Sequence, residues 1–249
     1  NAYKFIKTSV QNSKDIIKKG NIQIIYIDNN SNDKSPSILK TKINNNKDIS
    51  LLKTTKSMGF GPGIARNLGI KFAKGRKILF LDVDDKLATN KISKLIKFSK
   101  KNNSNLTYLG KKLIKNKKFQ NKKQSPYLKY HKNNLKKFFR NSNNMETISI
   151  LFDKKFIKRN NLVFKQGYYE DIFYLFKAHF YNNRKIYNFK DTIYLKLLSE
   201  NSIINSPLSK KHLKGMFNAW NNINKFVKKK NNFIKIQKVI FIYSIQVKR

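Results

Sequence analysis

Short apolar runs that end in polar loops alternate with helical patterns through the first half of the chain. Runs this short, rich in β-branched side chains, favour strands over helices. The predicted strands are IQIIYID (22–28), ISLLKT (49–54), KILFLDV (77–83) and LTYLGKKLI (106–114). Between them, apolar residues recur at helical spacing in the segments 3–19, 59–75 and 87–100. This alternation is typical of an α/β fold in which helices cover a mostly parallel sheet.

The loops that follow two of these strands are the predicted place for a site. Ligands of parallel α/β sheets bind beyond the carboxyl ends of the strands. One loop runs from Asp28 to Asp33, and the other follows KILFLDV. The helix over 59–75 starts after a Gly-rich stretch, where Pro62 suits the first turn, and Gly75 suits its C-cap.

The second half of the chain is less regular. Residues 115–144 are basic and Asn-rich with weak periodicity, which predicts a loop-rich insertion. The elements predicted after it are a strand at 147–152, a basic helical turn, a helix at 167–182, strands at 185–189 and 193–198, and two basic helices from Leu208 onward. The apolar faces of the last two helices are assigned to Trp220, Phe226, Phe233, Ile236, Val239 and Ile240.

Carboxylates are scarce in this chain and three of them are clustered. The sequence holds 55 Lys and Arg but only 13 Asp and Glu, yet Asp82, Asp84 and Asp85 lie together in ILFLDVDDK. Carboxylates packed together repel one another and persist where a divalent cation holds them. The spacing of two puts Asp82 and Asp84 on one side of an extended strand end. Asp85 is expected to point away or to cap the next helix.

An alternative interpretation, in which these acids stabilise the start of a helix, stays open. Acids before the helix at 87–100 would complement its dipole, which explains one acid easily but three poorly. The same first-turn effect is a serious alternative for Glu170 and Asp171, at the start of the helix at 167–182. Taken alone, that second pair is a weak indication of a site.

Composition excludes several classes of protein. The chain has no cysteine, which rules out a disulfide scaffold and a Cys-based zinc site. It has no apolar run of the length that spans a membrane, and no signal-peptide pattern. Its net charge of +42 will attract anionic lipid, nucleic acid or phosphorylated ligands. Because it begins at Asn1 rather than at Met, we expect it to be a segment of a longer protein.

Three motifs in order resemble glycosyltransferase family 2, whose members have the GT-A fold. They are IQIIYIDNNSND, GPGIARNLGIKFAKGRKILFLDVDD and YYEDIFYLFKAHF. The resemblance covers roughly residues 1–205, and ARNLG followed by FLDVDD is its most specific part. It implies a GT-A domain over 1–205, with a nucleotide-sugar-binding half at 1–115 and an acceptor-side half at 116–205. Residues 206–249 would be basic C-terminal helices, and the first strand of the family would precede Asn1.

The resemblance implies an inverting, metal-dependent hexosyltransferase. Its donor would be a nucleotide-diphosphate sugar, with a UDP-sugar favoured, and its acceptor a saccharide or lipid-linked hydroxyl. Asp171 would be the general base and Glu170 the reserve candidate; Asp84 and Asp82 would hold Mn²⁺ or Mg²⁺. The donor-binding residues would be Asp28, Asn30, Asp33, Arg66, Asn67, Asp82 and Val83. Arg66 has a second interpretation of equal weight, as a structural partner of Asp82 or Asp84.

Several details depart from the family pattern. Asn29 and Asn30 replace the usual Asp and Gly of the first loop, although Asn can still hydrogen-bond a base. No Gln-x-x-Arg-Trp motif follows Asp171, which argues against a processive polysaccharide synthase. Of the three histidines, His131, His179 and His212, the last could reach the metal as a histidine does in some relatives.

Other functions remain as alternatives. Interleaved Lys and aromatic residues, as in KKFFR (136–140), suit nucleic-acid binding, but the lysines form no single stripe, so no specific nucleic-acid partner is expected. A GT-A-like domain without activity is a further alternative. A haloacid-dehalogenase-like phosphatase would need Gly and then Thr or Val where Asp85 and Lys86 stand. The expected location is the cytoplasm, with peripheral contact at the anionic inner face of the membrane, and the expected role is in surface polysaccharide, lipopolysaccharide or glycoconjugate synthesis.

Overall fold

Two β-sheets with flanking helices organise the part of the protein that the structure describes. The computed structural model describes residues 2–44, 46–115, 118–120, 146–197 and 209–230. The helices are α1 (Tyr3–Ile17), α2 (Ser35–Ile43), α3 (Pro62–Phe72), α4 (Ile92–Lys101), α5 (Lys154–Arg159), α6 (Glu170–Tyr181) and α7 (Lys210–Lys229). The strands are β1 (Ile24–Asp28), β2 (Ile49–Lys53), β3 (Lys77–Leu79), β4 (Lys86–Leu87), β5 (Leu106–Lys115), β6 (Lys118–Gln120), β7 (Ile150–Asp153) and β8 (Tyr187–Leu197).

The first sheet pairs β1 and β2 in parallel, as predicted. The register runs from Ile24 opposite Ile49 to Asp28 opposite Lys53. α1 and α2 bury the apolar side chains of Ile6, Val10, Leu39 and Ile43 in a cluster with Ile49 of β2. No helix was predicted at α2, which begins at a Ser-Pro pair. The parallel pairing places the polar loop after Asp28 at the carboxyl edge of the sheet.

The second sheet is mixed, which corrects the expected topology. Its strand order is β3-β7-β5-β8-β4, with β6 beside β5. β5 and β8 run parallel, whereas β3–β7, β5–β7, β5–β6 and β4–β8 are antiparallel. The α/β class is confirmed, but the mostly parallel sheet was wrong for these strands. An apolar run buried on both faces carries no information about strand direction, so the pattern could not reveal it.

The structure also revises several element boundaries. The strands predicted at 185–189 and 193–198 are the single strand β8, whose register against β5 shifts at Gly110. α3 ends at Phe72 with Ala73 as its C-cap, so Gly75 does not cap it. The helix predicted from Leu87 begins only at Ile92, because Lys86 and Leu87 pair with β8.

The most extensive apolar cluster of the described residues surrounds α6. It includes Phe152, Phe156, Phe164, Phe173, Tyr174, Leu175, Phe176, Ile223 and Val227. Ile223 and Val227 belong to α7, so the first C-terminal helix packs on the same core as α6. The domain boundary predicted at 205 falls among residues 198–208, which the structure does not describe, and it stays a prediction.

Two further predictions lie outside the described residues. These are most of the insertion at 115–144 and the second C-terminal helix with Phe233, Ile236, Val239 and Ile240. In the described ranges, no helix combines the length and the apolar character needed to cross a membrane.

Candidate active site

Arg66 joins three segments that lie far apart in the sequence. Its Nη1 lies 2.6 Å from Glu170 Oε1 and 2.8 Å from Asp171 Oδ1, both in the first turn of α6. Its Nη2 lies 3.5 Å from Asp82 Oδ1, in the loop after β3. The Arg66 side chain is only 12% exposed. The structure therefore brings Asp82, Glu170 and Asp171 together, and it supports the interpretation of Arg66 as a structural partner of Asp82.

The rest of α3 fixes the position of this guanidinium. The amide of the neighbouring Asn67 donates to Phe164 O and accepts from Phe164 N, both at 2.9 Å. The Phe164 ring lies 5.5 Å from the Arg66 guanidinium carbon and stacks on Tyr174 at a centroid distance of 3.8 Å. The Ala-Arg-Asn motif is thus an anchor between α3 and the segment before α6. The predicted contact of Asn67 with a nucleotide stays a prediction.

Electrostatics hold Arg66 in its charged form. Burial by itself would lower the pKa of the Arg66 guanidinium, but the carboxylates of Asp171, Asp82 and Glu170 raise it above its usual value. Three carboxylates share this one cation, so the centre has an excess of negative charge. A bound cation near it would be favoured for that reason.

Asp171 is held on both of its oxygens. Oδ1 accepts from Arg66 and from the Thr147 hydroxyl at 2.9 Å, and Oδ2 accepts from Thr147 N at 2.9 Å. Burial raises the pKa of Asp171, while Arg66 and the Thr147 hydrogen bonds oppose that rise. A carboxylate oxygen can accept two hydrogen bonds, so Oδ2 can accept one more proton donor. Thr147 lies in the turn before β7, and nothing in its local sequence indicated this contact.

Glu170 lies against the start of α3. A Cβ added to Gly63 would come within 2.9 Å of Glu170 Cγ, so a larger residue at position 63 would displace this carboxylate. Burial raises the pKa of Glu170 to about 7, with the charge of Asp171 adding to the rise and Arg66 opposing it. The preceding Tyr169 adopts a left-handed conformation with φ of 59°, which is uncommon for a residue with a side chain. The turn into α6 is therefore shaped around this carboxylate pair.

The three acids of the DVDD motif have different surroundings. The side chain of Asp82 is 45% exposed and faces Arg66. Asp84 is partly buried, and burial together with the nearby Asp82 raises its pKa. Asp85 is 3% exposed, and its carboxylate accepts from the Tyr194 hydroxyl and from Leu197 N, each at 2.7 Å. Burial raises the pKa of Asp85 to about 7.

These positions correct two expectations about the motif. Asp85 does not cap a following helix, because the chain enters β4 and a 3-10 turn before α4 begins at Ile92. The helix-dipole explanation of the cluster fails for the same reason, because the three acids do not directly precede α4. The first turn of α4 itself contains no acid. Asp85 instead joins the loop to β8.

The residues present fit a hard divalent cation only in part. Carboxylate oxygens are the ligands that Mg²⁺ and Mn²⁺ prefer. Among the described residues, however, no three His, Cys, Asp or Glu side chains converge on one metal position. Asp82 and Asp84 would therefore supply part of a coordination shell, and oxygens from a ligand would have to complete it.

The first loop contains an unsatisfied acceptor. Asp28 is 7% exposed; its Oδ1 accepts from Ser31 N at 3.0 Å, while Oδ2 is buried without a hydrogen-bond partner among the described residues. A buried acceptor of this kind is costly unless a donor reaches it, which fits an N–H of a ligand. Asn30 adopts a left-handed conformation that Asn tolerates, and its amide donates to Thr54 Oγ1 at 3.2 Å.

Other predicted residues take part in local structure. Asp33 accepts from Ser35 N at 3.0 Å, at the start of α2. Val83 is partly buried between Asp82 and Asp84. His212 Nδ1 lies 2.7 Å from Ser209 Oγ in the capping box of α7, and its expected approach to the metal stays a prediction. His179 Nε2 lies 2.8 Å from the Tyr108 hydroxyl, in agreement with a packing role.

The ion pairs of Glu146 were not predicted from the sequence. Glu146 accepts from Lys111 at 2.8 Å and from Lys196 at 2.9 Å, and so links β5 to β8. Burial raises the pKa of Asp84, and the positive charge of Lys196 opposes that rise. Glu146 is isolated in the sequence, so its role depends entirely on the pairing of β5 with β8.

The family described as Glycosyl transferase family 2 matches residues 1–161 of the chain. A protein of Haemophilus influenzae described as an uncharacterized glycosyltransferase is 39% identical over 88 residues, 35% of this chain and 34% of that protein. The poly(ribitol-phosphate) beta-N-acetylglucosaminyltransferase TarP of Staphylococcus aureus is 29% identical over 177 residues, 70% of this chain and 52% of TarP. The UDP-Glc:alpha-D-GlcNAc-diphosphoundecaprenol beta-1,3-glucosyltransferase WfaP of Escherichia coli is 42% identical over 78 residues, 31% of this chain and 30% of WfaP. The chain spans about half or less of these relatives.

Solved structures confirm the GT-A fold. S. aureus TarS 1–349 in complex with UDP-GlcNAc has a TM-score of 0.64 and 17% identity, over 88% of this chain and 64% of that chain. TarS 1–349 in complex with UDP has a TM-score of 0.57 and 16% identity, over 93% of this chain and 74% of that chain. Because the identity is low, this similarity establishes the fold and nothing about the ligand of this chain.

Proposed function

The chain belongs to glycosyltransferase family 2, and from this premise we propose that it transfers a hexose from a nucleotide-diphosphate sugar to an acceptor hydroxyl, with inversion. The observation that carries the proposal is the convergence on Arg66 of Asp82, from the DVDD loop, and Asp171, from the start of α6. A donor-side carboxylate and a candidate base therefore lie near each other, which is compatible with both acting on a single sugar. Family membership replaces the phosphatase interpretation of the DVDD motif.

Asp171 is the proposed general base. As the acceptor oxygen attacks the anomeric carbon, Asp171 Oδ2 takes its proton, while Arg66 and Thr147 hold the carboxylate in place. A positioned base typically contributes about 10²–10⁴-fold to the rate. Glu170 is the reserve candidate, since its carboxylate contacts the same guanidinium.

The favoured donor is a UDP-sugar. The TarS structures hold UDP-GlcNAc and UDP, and the name of WfaP specifies UDP-Glc. The unsatisfied Oδ2 of Asp28 would accept an N–H of the base, and Asn30 lies in the same loop. We also propose a role in the donor site for Asp33, Asn67 and Val83, which follows from the family resemblance.

Asp84 and Asp82 would hold Mn²⁺ or Mg²⁺ together with oxygens of the donor diphosphate. When bound there, the cation would offset the negative charge that develops on the departing nucleotide diphosphate. The excess of carboxylates around Arg66 supports this proposal.

The proposed acceptor is a saccharide or lipid-linked hydroxyl in surface polysaccharide, lipopolysaccharide or glycoconjugate synthesis. TarP is named for poly(ribitol-phosphate) and WfaP for a diphosphoundecaprenol acceptor. We propose a cytoplasmic enzyme in peripheral contact with the anionic inner face of the membrane. The chain's charge of +42 supports that contact.

A donor screen by calorimetry on the full-length protein, with and without Mn²⁺, tests the proposal. We expect a UDP-sugar to bind in the presence of Mn²⁺, and Asp84→Ala to abolish the metal-dependent part. The control is Asp15→Ala, because the contacts of Asp15 lie within α1 at the surface: an ion pair with Lys18 at 3.8 Å and a hydrogen bond from Gln11 at 3.1 Å. The proposal is contradicted if no nucleotide sugar binds with or without Mn²⁺, while single-stranded nucleic acid binds with an affinity that falls as the monovalent salt concentration rises.

A further inference from the structure

Two large apolar side chains are exposed on α7. Leu213 is 59% exposed and Phe217 is 64% exposed, and their spacing of four places them on one face of the helix. The buried residues of α7 lie on the other side, at His212, Gly215, Ala219, Ile223 and Val227. The inward face packs on the core around α6, so the exposed pair is not required for that packing.

This exposed face is also strongly cationic. α7 contains six lysines and no acid, and Lys210 and Lys214 are exposed beside Leu213 and Phe217. Apolar side chains at helical spacing with lysines around them are typical of helices that lie in a membrane interface. Each lysine near an anionic surface adds to the attraction. We name the residues Lys210, Leu213, Lys214 and Phe217 the α7 patch.

We propose that the α7 patch docks on an anionic phospholipid surface, with Leu213 and Phe217 inserted between lipids and Lys210 and Lys214 paired with phosphates. The positive charge of the helix is complementary to the phosphates of such a surface, and its exposed apolar pair is complementary to the lipid interior. Nucleic acid would satisfy the lysines but would leave an aliphatic leucine in contact with a polar backbone. The inference gives a defined surface to the membrane contact proposed above, and it can be tested without any transferase activity.

The position of the patch relative to the candidate active site fits this assignment. The His212 ring lies 5.6 Å from the Tyr168 ring, and a Cβ added to Gly215 would come within 2.8 Å of Tyr168 Cβ. Tyr168 precedes Glu170 by two residues, and the neighbouring Gly167 N donates to Phe60 O at 3.3 Å. The inward face of α7 therefore contacts the segment that leads into Glu170 and Asp171, and a membrane bound by the α7 patch would lie on the other side of this helix.

The single tryptophan of the chain makes the proposal directly testable. Trp220 lies on α7, three residues after Phe217, and is half-buried. The 249-residue chain is mixed with phosphatidylcholine vesicles with and without phosphatidylglycerol, and with vesicles that carry brominated phosphatidylcholine. We expect binding to the anionic vesicles, a blue shift of the Trp220 emission, and quenching by the brominated lipid.

Matched variants separate the patch from the general charge of the chain. Leu213→Ser/Phe217→Ser should weaken partitioning on the order of tenfold to a hundredfold, from the apolar area that no longer inserts. The control is Phe72→Ser/Val163→Ser, because Phe72 is 48% and Val163 is 43% exposed at sites away from α7. Lys210→Gln/Lys214→Gln should weaken binding more than Lys40→Gln/Lys42→Gln, which removes two exposed lysines of α2.

Three results would overturn the proposal. The first is equal partitioning of the Leu213/Phe217 variant and its control. The second is binding that salt removes completely, without quenching of Trp220, which would show attraction by charge alone. The third is self-association of the wild-type protein that Leu213→Ser/Phe217→Ser abolishes, which would show a second copy on the patch. Because both replaced side chains are exposed, circular dichroism should show an unchanged fold in every variant.

Discussion

Two buried groups of carboxylates in this protein are stabilised in opposite ways. Glu170 and Asp171 surround Arg66, and hydrogen bonds from Thr147 add to the stabilisation of Asp171. Asp85 is buried as deeply but has the Tyr194 hydroxyl and Leu197 N as its partners, with no cation in contact among the described residues. The first group places two carboxylates against a cation at the candidate active site, whereas the second joins the DVDD loop to β8. The partners, and not burial alone, decide what a buried acid does.

The largest effect on stability should follow from removing the cation of the first group. Arg66→Gln leaves buried carboxylates uncompensated and should cost about 3–5 kcal/mol in the free energy of unfolding, measured with urea. The control is Arg76→Gln, whose side chain is 65% exposed and lies 3.6 Å from Asp153; it should change stability by less than about 0.5 kcal/mol. Equal effects of the two variants would mean that Arg66 does not stabilise the site.

Both groups should make the wild-type protein less stable as the pH rises from about 6.5 to 8. Glu170 and Asp85 have pKa values of about 7, above their values in the unfolded chain. The folded state therefore binds more protons in this window, and its stability falls as the pH passes through 7, by about 1 kcal/mol for each group. Below this window His179, whose pKa burial lowers to about 3, acts in the opposite direction. Urea unfolding across the window checks the slope, and a rising stability would contradict it.

The substitution Asp85→Asn should remove about half of this fall in stability with rising pH. In Asp85→Asn the amide oxygen still accepts from Leu197 N and the amide nitrogen can donate to the Tyr194 hydroxyl, but no charge forms. We expect this variant to be about 1 kcal/mol more stable than the wild type at pH 8 and nearly equal to it at pH 6. If Asp85→Asn destabilises the protein equally at pH 6 and pH 8, then Asp85 is needed as an anion, and the contrast between the two groups is wrong.

The smallest effect is expected for the neutral partner of Asp171. Thr147→Val removes one hydroxyl hydrogen bond but keeps the backbone N–H that donates to Oδ2. It should cost about 1 kcal/mol of stability and lower kcat severalfold, with little change in the KM for the donor. Thr147→Ser retains the hydroxyl and should behave as the wild type in steady-state kinetics. A loss as large as that of Arg66→Gln would show that Thr147 does more than orient Asp171.

The sequence identified most of the acids in these groups but not their partners. Strand ends and motif order located Asp28, the DVDD loop and the Glu170–Asp171 pair, because local patterns carry those features. The contacts of Asp171 with Thr147 and of Asp85 with Tyr194 depend on strand pairing across the second sheet. Pairing direction is not encoded in a continuous apolar run, which is also why the mixed sheet was missed.

One measurement tests the central claim most directly, namely that Asp171 is the base of a transfer centre organised by Arg66. Asp171→Asn keeps the shape of the side chain and an oxygen for Arg66, but it cannot accept a proton. The account predicts that calorimetry shows donor binding within about twofold of the wild type, while transfer to the acceptor falls by about 10²–10⁴-fold. Transfer at the wild-type rate by Asp171→Asn, with the same donor affinity, would contradict the assignment of Asp171 and with it the proposed mechanism.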